Sequence, residues 1–150
     1  MDQPLKQRIQ DDVKDAMRSK DRQRLNTLRL LTAAIKQREV DERIDLGDTA
    51  VTTLIEKMVR QRRDSIEHYA KAGRQDLIDI ETYELELLQG YLPEPMDTTE
   101  LEALVNTTIS NCGATGIRDM GKVMAQLRDQ IQGRADMAAV SAMVKNQLDG

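Results

Sequence analysis

Apolar residues recur at three- and four-residue intervals in seven successive stretches of this 150-residue chain. In the first stretch, Leu5, Ile9, Val13 and Met17 follow one another at four-residue spacing. This period places side chains on one face of an α-helix, whereas a strand would require strict alternation. The only aromatic residues are three Tyr, so the core must be built from Leu, Ile, Val, Ala and Met, which suits helix packing. The sequence therefore predicts an all-α protein.

The segment GYLPEPMD at 90–97 divides the seven predicted helices into two groups. Its two Pro residues exclude a helix, because each lacks a backbone N–H and restricts the residue before it. We therefore predict an N-terminal bundle of about four helices at 1–92, a Pro-containing linker at 93–97 and a small three-helix domain at 98–150. Tyr91 and Leu92 are apolar for a linker, so we expect them to pack against the protein.

Two groups of polar residues have predicted structural roles. Asp97, followed three residues later by Glu100, resembles a capping box at the start of the fifth helix. Arg62 falls on the buried face of the third helix, where a cation needs a partner to offset its lost hydration. We expect that partner to be Glu81 or Glu84 on the next helix.

Catalytic groups are scarce in this sequence. The single Cys, Cys112, and the single His, His68, lie far apart, and neither belongs to a nucleophile or zinc-ligand motif. The segment GATGIRDMGK is not a phosphate-binding loop, because Val123 stands where Ser or Thr would follow Lys122. We expect no catalytic residue, metal or cofactor. With no apolar run near the roughly 20 residues of a membrane span and no leader pattern, we also expect a cytoplasmic protein without a membrane partner.

The segment 113–136, GATGIRDMGKVMAQLRDQIQGRAD, is the most informative part of the chain. Gly113 and Gly133 occupy positions where a left-handed residue would end a helix. Gly121 lies inside the predicted sixth helix, where Gly costs about 1 kcal/mol relative to Ala, so we expect something to approach its backbone closely. Either a neighbouring helix packs there, or the bare backbone and nearby cations receive a phosphodiester backbone. The nearby cations are Arg118, Lys122, Arg128 and Arg134.

Four segments of the chain resemble the YqeY family. They are QRRDSIEHYAKAGR at 61–74, LLQGYLPEPM at 87–96, DMGKVM at 119–124 and GRADM at 133–137. The C-terminal half is similar to the tail domain of the B subunit of glutamine-dependent tRNA amidotransferases. The resemblance covers essentially the whole chain and implies the same two-part helical architecture.

This resemblance also implies a function. In the amidotransferases concerned, the tail domain contacts the elbow region of tRNA while the chemistry occurs elsewhere, so the resemblance implies a non-catalytic tRNA-binding accessory protein. The RNA-contacting positions that it implies are Arg118, Gly121, Lys122, Gly133 and Arg134, and Lys145 would extend the patch. Such a patch requires Lys122 and Arg134 to share a surface and to be free of internal acids. Residues 113–150 carry five basic and four acidic side chains, a surplus of only +1.

Two alternative functions remain open. The chain could be a helical adaptor for an aminoacyl-tRNA synthetase or an amidotransferase. It could instead be a component of a carbon–nitrogen ligase that uses glutamine as amide donor, the activity attached to the family. That label fits poorly because no catalytic constellation is visible in this chain. The net charge of −4 does not favour DNA as a partner.

Overall fold

The structure is a computed structural model that describes residues 3–131 and 133–149. Seven α-helices and one 3₁₀ turn form most of this part of the chain, and it contains no strand. The prediction of an all-α protein is thereby confirmed. The chain divides into two compact units, the four-helix unit Met1–Leu92 and the three-helix unit Pro93–Gly150.

The four-helix unit is built around one apolar core. Its helices are α1 (Leu5–Arg18), α2 (Arg22–Glu42), α3 (Asp48–Lys71) and α4 (Gln75–Gln89). Helices α3 and α4 form the most extensive pair, and α1 packs along α2. All four helices contribute fully buried side chains, among them Ile9, Leu28, Leu31, Val51, Ile55 and Leu88. These residues lie on the apolar faces that the helical period predicts.

Two residues in the four-helix unit have left-handed backbone without being glycine. Lys20 has φ +60° just after α1, and Arg43 has φ +56° just after α2. In each case the next residue donates its N–H to a carbonyl in the last turn of the helix. Glycine is the usual residue at such a helix end, because a Cβ there costs roughly 1 kcal/mol or more. No glycine in the sequence marks either turn.

The partly buried arginine has the partner that the sequence predicts. The Arg62 guanidinium lies 3.5 Å from the Glu84 carboxylate, and the two side chains are only 16% and 15% exposed. Burial and the nearby Glu84 charge raise the pKa of Glu81, while Arg62 opposes that rise. Arg62 therefore offsets the charge of two carboxylates at the junction of α3 and α4.

Tyr91 fastens the end of the four-helix unit to α1. Its ring is buried, its hydroxyl donates a hydrogen bond to Asp12, and the Arg8 guanidinium lies 4.9 Å from the ring centroid. Arg8 also donates to the carbonyl of Gly90 at 3.2 Å. Leu92 packs against the same core. The prediction that Tyr91 and Leu92 pack down is confirmed.

The three-helix unit contains α5 (Thr98–Cys112), a 3₁₀ turn (Ile117–Asp119), α6 (Met120–Ile131) and α7 (Met137–Asp149). Gly113 and Gly133 have φ of +65° and +80°, so both end helices as predicted. The spacing of Ile117, Met120, Val123 and Leu127 predicts that all four lie on the buried face of the sixth helix, but one of them is displaced. Ile117 is 43% exposed, because it lies in the 3₁₀ turn, where three residues per turn alter the register of the apolar face.

Only one of the two side chains of the predicted capping box caps α5. The Asp97 side chain accepts a hydrogen bond from the Glu100 N–H at 2.7 Å, which caps α5 as expected. The Glu100 carboxylate, however, accepts a hydrogen bond from Arg134 at 3.0 Å. A stronger partner, a guanidinium, thus draws Glu100 away from the start of its own helix.

Candidate nucleic-acid interface

The start of α6 brings together three of the residues predicted to contact RNA. Arg118 lies in the 3₁₀ turn, and Gly121 and Lys122 lie in the first turn of α6. All three are exposed, because the opposite face of α6 is buried in the core through Val123 and Leu127. Within the described residues, neither Arg118 nor Lys122 takes part in an ion pair. Both cations are therefore available to a ligand.

Gly121 is not a packing site for another described helix of the three-helix unit. A Cβ placed on Gly121 would meet no described atom of the three-helix unit within 4 Å, apart from its own turn of α6. The expectation that a neighbouring helix of the bundle packs closely there is therefore wrong. Nothing in this unit accounts for a residue that is unfavourable in a helix. The bare backbone at Gly121 faces open space.

An acidic residue lies between the two cations. Asp119 accepts a hydrogen bond from the Thr115 N–H at 3.0 Å. That bond holds the pKa of Asp119 below its ordinary value, with smaller contributions from Arg118 and Lys122. Asp119 therefore stays ionised at neutral pH and shapes the loop before α6, but it also reduces the positive potential beside Gly121.

Lys145 is the predicted RNA contact that lies on α7. It is an exposed residue in the second half of α7, and α7 packs against the 3₁₀ turn that carries Arg118. No ion pair involving Lys145 is found in the described part of the chain. Lys145 is therefore a third exposed cation of the three-helix unit among the predicted RNA contacts.

The second group of predicted RNA contacts, Gly133 and Arg134, lies beyond the opposite end of α6. Lys122 and Ile131 are separated by nine residues of helix, which correspond to about 14 Å along the axis. The structure therefore does not gather all the predicted positions into one compact patch.

Arg134 is bound inside its own unit. Its Nε donates to the carbonyl of Glu94 at 2.9 Å, and its Nη2 lies 3.0 Å from the Glu100 carboxylate. Its own carbonyl accepts a hydrogen bond from the Met96 N–H at 2.8 Å. The expectation that this cation is free of internal acids is wrong, because Arg134 holds the segment before α5 against the turn before α7. An RNA contact by Gly133 and Arg134 stays a prediction.

The sequence contains a signal for this structural role of Arg134. Residues 94–102 carry four acids, Glu94, Asp97, Glu100 and Glu102, and no base. An acidic segment of this kind attracts a cation from elsewhere in its unit. GRADM supplies the only base near the start of α7, so Arg134 was the natural partner.

Other chemistry finds little support in the described residues. No group of three His, Cys, Asp or Glu side chains there could hold a metal ion. Cys112 is a free thiol buried at the end of α5, and His68 is exposed on α3. None of the helices in the described part combines the length and the apolar character needed to cross a membrane.

Comparison with known proteins gives a family and several relatives. The profile of a family described as Yqey-like protein matches residues 6–148. A protein from Pyrenophora tritici-repentis, named "Altered inheritance of mitochondria protein 41, mitochondrial", is 35% identical over 130 residues, which cover 85% of this chain and 71% of the relative. Relatives of the same name from Lachancea thermotolerans and Eremothecium gossypii are each 36% identical, over 69% and 79% of this chain.

These relatives correct one prediction, and two of them extend well beyond the part that is similar to this chain. All three are named as mitochondrial proteins, so the prediction of a cytoplasmic protein is wrong. The chain spans 54% of the Lachancea relative and 67% of the Eremothecium relative. A third or more of each of these two relatives therefore lies outside the similarity.

Proposed function

This chain belongs to the Yqey-like protein family, and from that premise we propose that it is a non-catalytic accessory protein that binds tRNA through the start of α6. One observation carries the proposal. Gly121 exposes bare helix backbone that no neighbour in its unit covers, and the exposed cations Arg118 and Lys122 flank it. Lys145, an exposed cation on α7, would extend the positive surface.

The position of Gly121 favours a ligand that approaches the backbone. Replacing Gly with Ala in a helix gains up to about 1 kcal/mol, and the space for a Cβ is open. A close contact from outside the chain would explain why Gly is present. A phosphodiester backbone suits this position, because its oxygens accept hydrogen bonds from the flanking cations while its sugar–phosphate chain needs room beside the helix.

The composition of the three-helix unit restricts the mode of recognition. The three Tyr are Tyr69, Tyr83 and Tyr91, so the three-helix unit contains no aromatic residue on which a base could stack. Recognition would rest on the backbone and shape of a folded RNA. With about three phosphate contacts, affinity should fall roughly 40-fold between 50 and 200 mM salt, from a slope of about −0.9 per contact.

The test uses the full chain and a labelled tRNA transcript in fluorescence anisotropy. Lys122→Ala should weaken binding and reduce the slope of log K against log salt by about 0.9. Lys57→Ala is the matched control, because Lys57 is an exposed lysine on α3 in the other unit. Absence of binding at about 50 mM salt, or equal effects of the two substitutions, would show that the proposal is wrong.

Gly121→Ala separates a contact surface from a folding role. We expect a higher melting temperature, since Ala favours the helix, together with weaker tRNA binding, since the added methyl group obstructs the backbone. The melting temperature would be measured by circular dichroism and the affinity by the same anisotropy titration. A variant that is more stable and binds tRNA as tightly as the wild type would remove the argument from Gly121.

A protein–protein adaptor is the second candidate function. Val40 and Ile44 in the four-helix unit are 63% and 49% exposed, and both line a single groove. Exposed aliphatic side chains next to a concavity are typical of surfaces that bind other proteins.

A further inference from the structure

A groove runs between α1, α2 and the loop that joins α2 to α3. Its volume is about 530 Å³, within the size range of ligand-binding sites. Ile9 and Ile35 form its apolar floor and are almost completely buried. Val40 and Ile44 line its edge and are largely exposed. The groove therefore combines an apolar floor with a largely polar lining and an edge that continues onto open surface.

The charges around this groove leave a cationic surplus. The Lys6 ammonium is bound to the Glu39 carboxylate, which also accepts the Leu46 N–H at 2.8 Å. These two bonds hold the pKa of Glu39 below its ordinary value, so Glu39 stays ionised and its charge compensates that of Lys6. Lys36 and Arg43 also line the groove and are exposed, and we find no ion pair for either within the described residues.

One further acid completes the set of charges. Asp45 lines the groove and is exposed, so among the described residues that line it the side chains without an ion pair are two cations and one acid. The surplus of +1 sits beside aliphatic side chains in a protein whose net charge is −4. A ligand that combines aliphatic groups with carboxylates would complement both features.

We propose that this groove binds an acidic amphipathic segment of another protein. An aliphatic side chain of the partner would enter the cavity over Ile9 and Ile35, between the exposed edge residues Val40 and Ile44. Carboxylates next to it in the partner sequence would pair with Lys36 and Arg43. The site lies in the four-helix unit and is independent of the tRNA surface proposed on α6.

The lining favours a peptide over RNA. No aromatic side chain lines the groove, so an RNA base would find no stacking partner. A phosphodiester backbone is charged and polar, so it would bury little of the apolar surface of Val40 and Ile44 favourably. An aliphatic side chain removes the same surface from water, which stabilises the complex in proportion to the apolar area buried.

Arg43 provides a sharp test because of its backbone. At φ +56°, glycine would be the better residue for folding, so Arg43→Gly removes the cation and at the same time relieves the turn. Lys20 is the matched control. It is also a cation in left-handed conformation at a helix end, at φ +60°, but it does not line the groove.

The experiment selects binders from a random peptide display library on the 150-residue chain. We expect enriched sequences that combine Leu, Ile, Val or Met with neighbouring Asp or Glu. A synthetic peptide of the enriched sequence should bind Arg43→Gly and Lys36→Ala about tenfold more weakly, as expected for the loss of a charge-assisted contact. Lys20→Gly should bind it as the wild type does, while both glycine variants melt at higher temperature.

Several results would overturn the proposal. These are the absence of any enriched sequence, an enriched sequence without acids, or equal affinity for the wild type and Arg43→Gly. Methyl NMR signals of Val40 and Ile44 provide a second readout, and they should shift with the peptide. A shift of these signals with tRNA and none with the peptide would assign the groove to RNA instead.

Discussion

Replacing Arg134 with Ala should destabilise the three-helix unit while leaving tRNA binding at the start of α6 nearly unchanged. The substitution removes two side-chain contacts, one to the Glu94 carbonyl and one to the Glu100 carboxylate. It keeps the main-chain hydrogen bond from Met96, because that bond uses the Arg134 carbonyl. The side chains of Arg134 and Glu100 are 35% and 47% exposed, so each lost contact is discounted to roughly 0.5–1 kcal/mol. We therefore expect a loss of about 1–2 kcal/mol.

Thermal unfolding and amide hydrogen exchange would measure this loss. For a unit of this size, about 1.5 kcal/mol corresponds to a fall in melting temperature of roughly 6–12 °C. The Met96 amide is a local probe, since its N–H donates to Arg134, and its protection should fall by about tenfold. A double-mutant cycle with Glu100→Gln should give a coupling of roughly 0.5–1 kcal/mol between the two side chains.

The opposite pattern would refute the structural role. If Arg134→Ala left the melting temperature and the Met96 protection unchanged but abolished tRNA binding, Arg134 would be an RNA contact. The prediction made from GRADM would then hold, and the contacts with Glu94 and Glu100 would be incidental. Arg118→Ala is the comparison variant. As an exposed residue without an ion pair in the described chain, it should lose tRNA affinity without losing stability.

Three further predictions concern folding. Burial and the hydrogen bond to Asp12 raise the pKa of Tyr91 in the folded protein. As pH rises above about 10, Tyr91 therefore loses its proton in the unfolded chain before it does so in the folded one. The stability that this residue contributes is complete below that pH and is lost progressively above it. In Tyr91→Phe, urea unfolding should show a smaller alkaline loss of stability. Arg62→Met should cost about 2 kcal/mol at pH 7 and less near pH 4, because burial raises the pKa of Glu81 and this carboxyl, left without the opposing Arg62 charge, becomes protonated there. Urea unfolding at both pH values would check this. Asp97→Ala should cost about 1 kcal/mol in thermal unfolding through the loss of the α5 cap, and no change would contradict the capping role.

The sequence could predict those features that depend on neighbours along the chain. The helical period of the apolar residues predicted the all-α fold. The Asp and Gly residues at the helix boundaries predicted the cap at Asp97 and the helix ends at Gly113 and Gly133. The partner of Arg62 was also predictable, because a buried cation needs a carboxylate and the next helix offered only a few.

Features that depend on tertiary packing could not be predicted in the same way. The engagement of Arg134 arises only when the turn before α7 meets the segment before α5. Arg43 adopts a left-handed backbone at a position that carries no glycine, so no residue type there indicates the turn. Ile117 was placed in the core by a period of 3.6, but a local 3₁₀ turn shifted its direction.

The placement of the three tyrosines gives the two units different optical properties. Tyr69, Tyr83 and Tyr91 all belong to the four-helix unit, and the chain has no Trp. Intrinsic ultraviolet emission therefore reports on that unit alone, and the helices from Thr98 onward are silent. If a nucleic acid quenches this emission, it either contacts the four-helix unit or changes the conformation of that unit. A ligand that affects only α6 and α7 would leave the tyrosine emission unchanged. Its binding would have to be measured with a fluorescent dye attached to the three-helix unit.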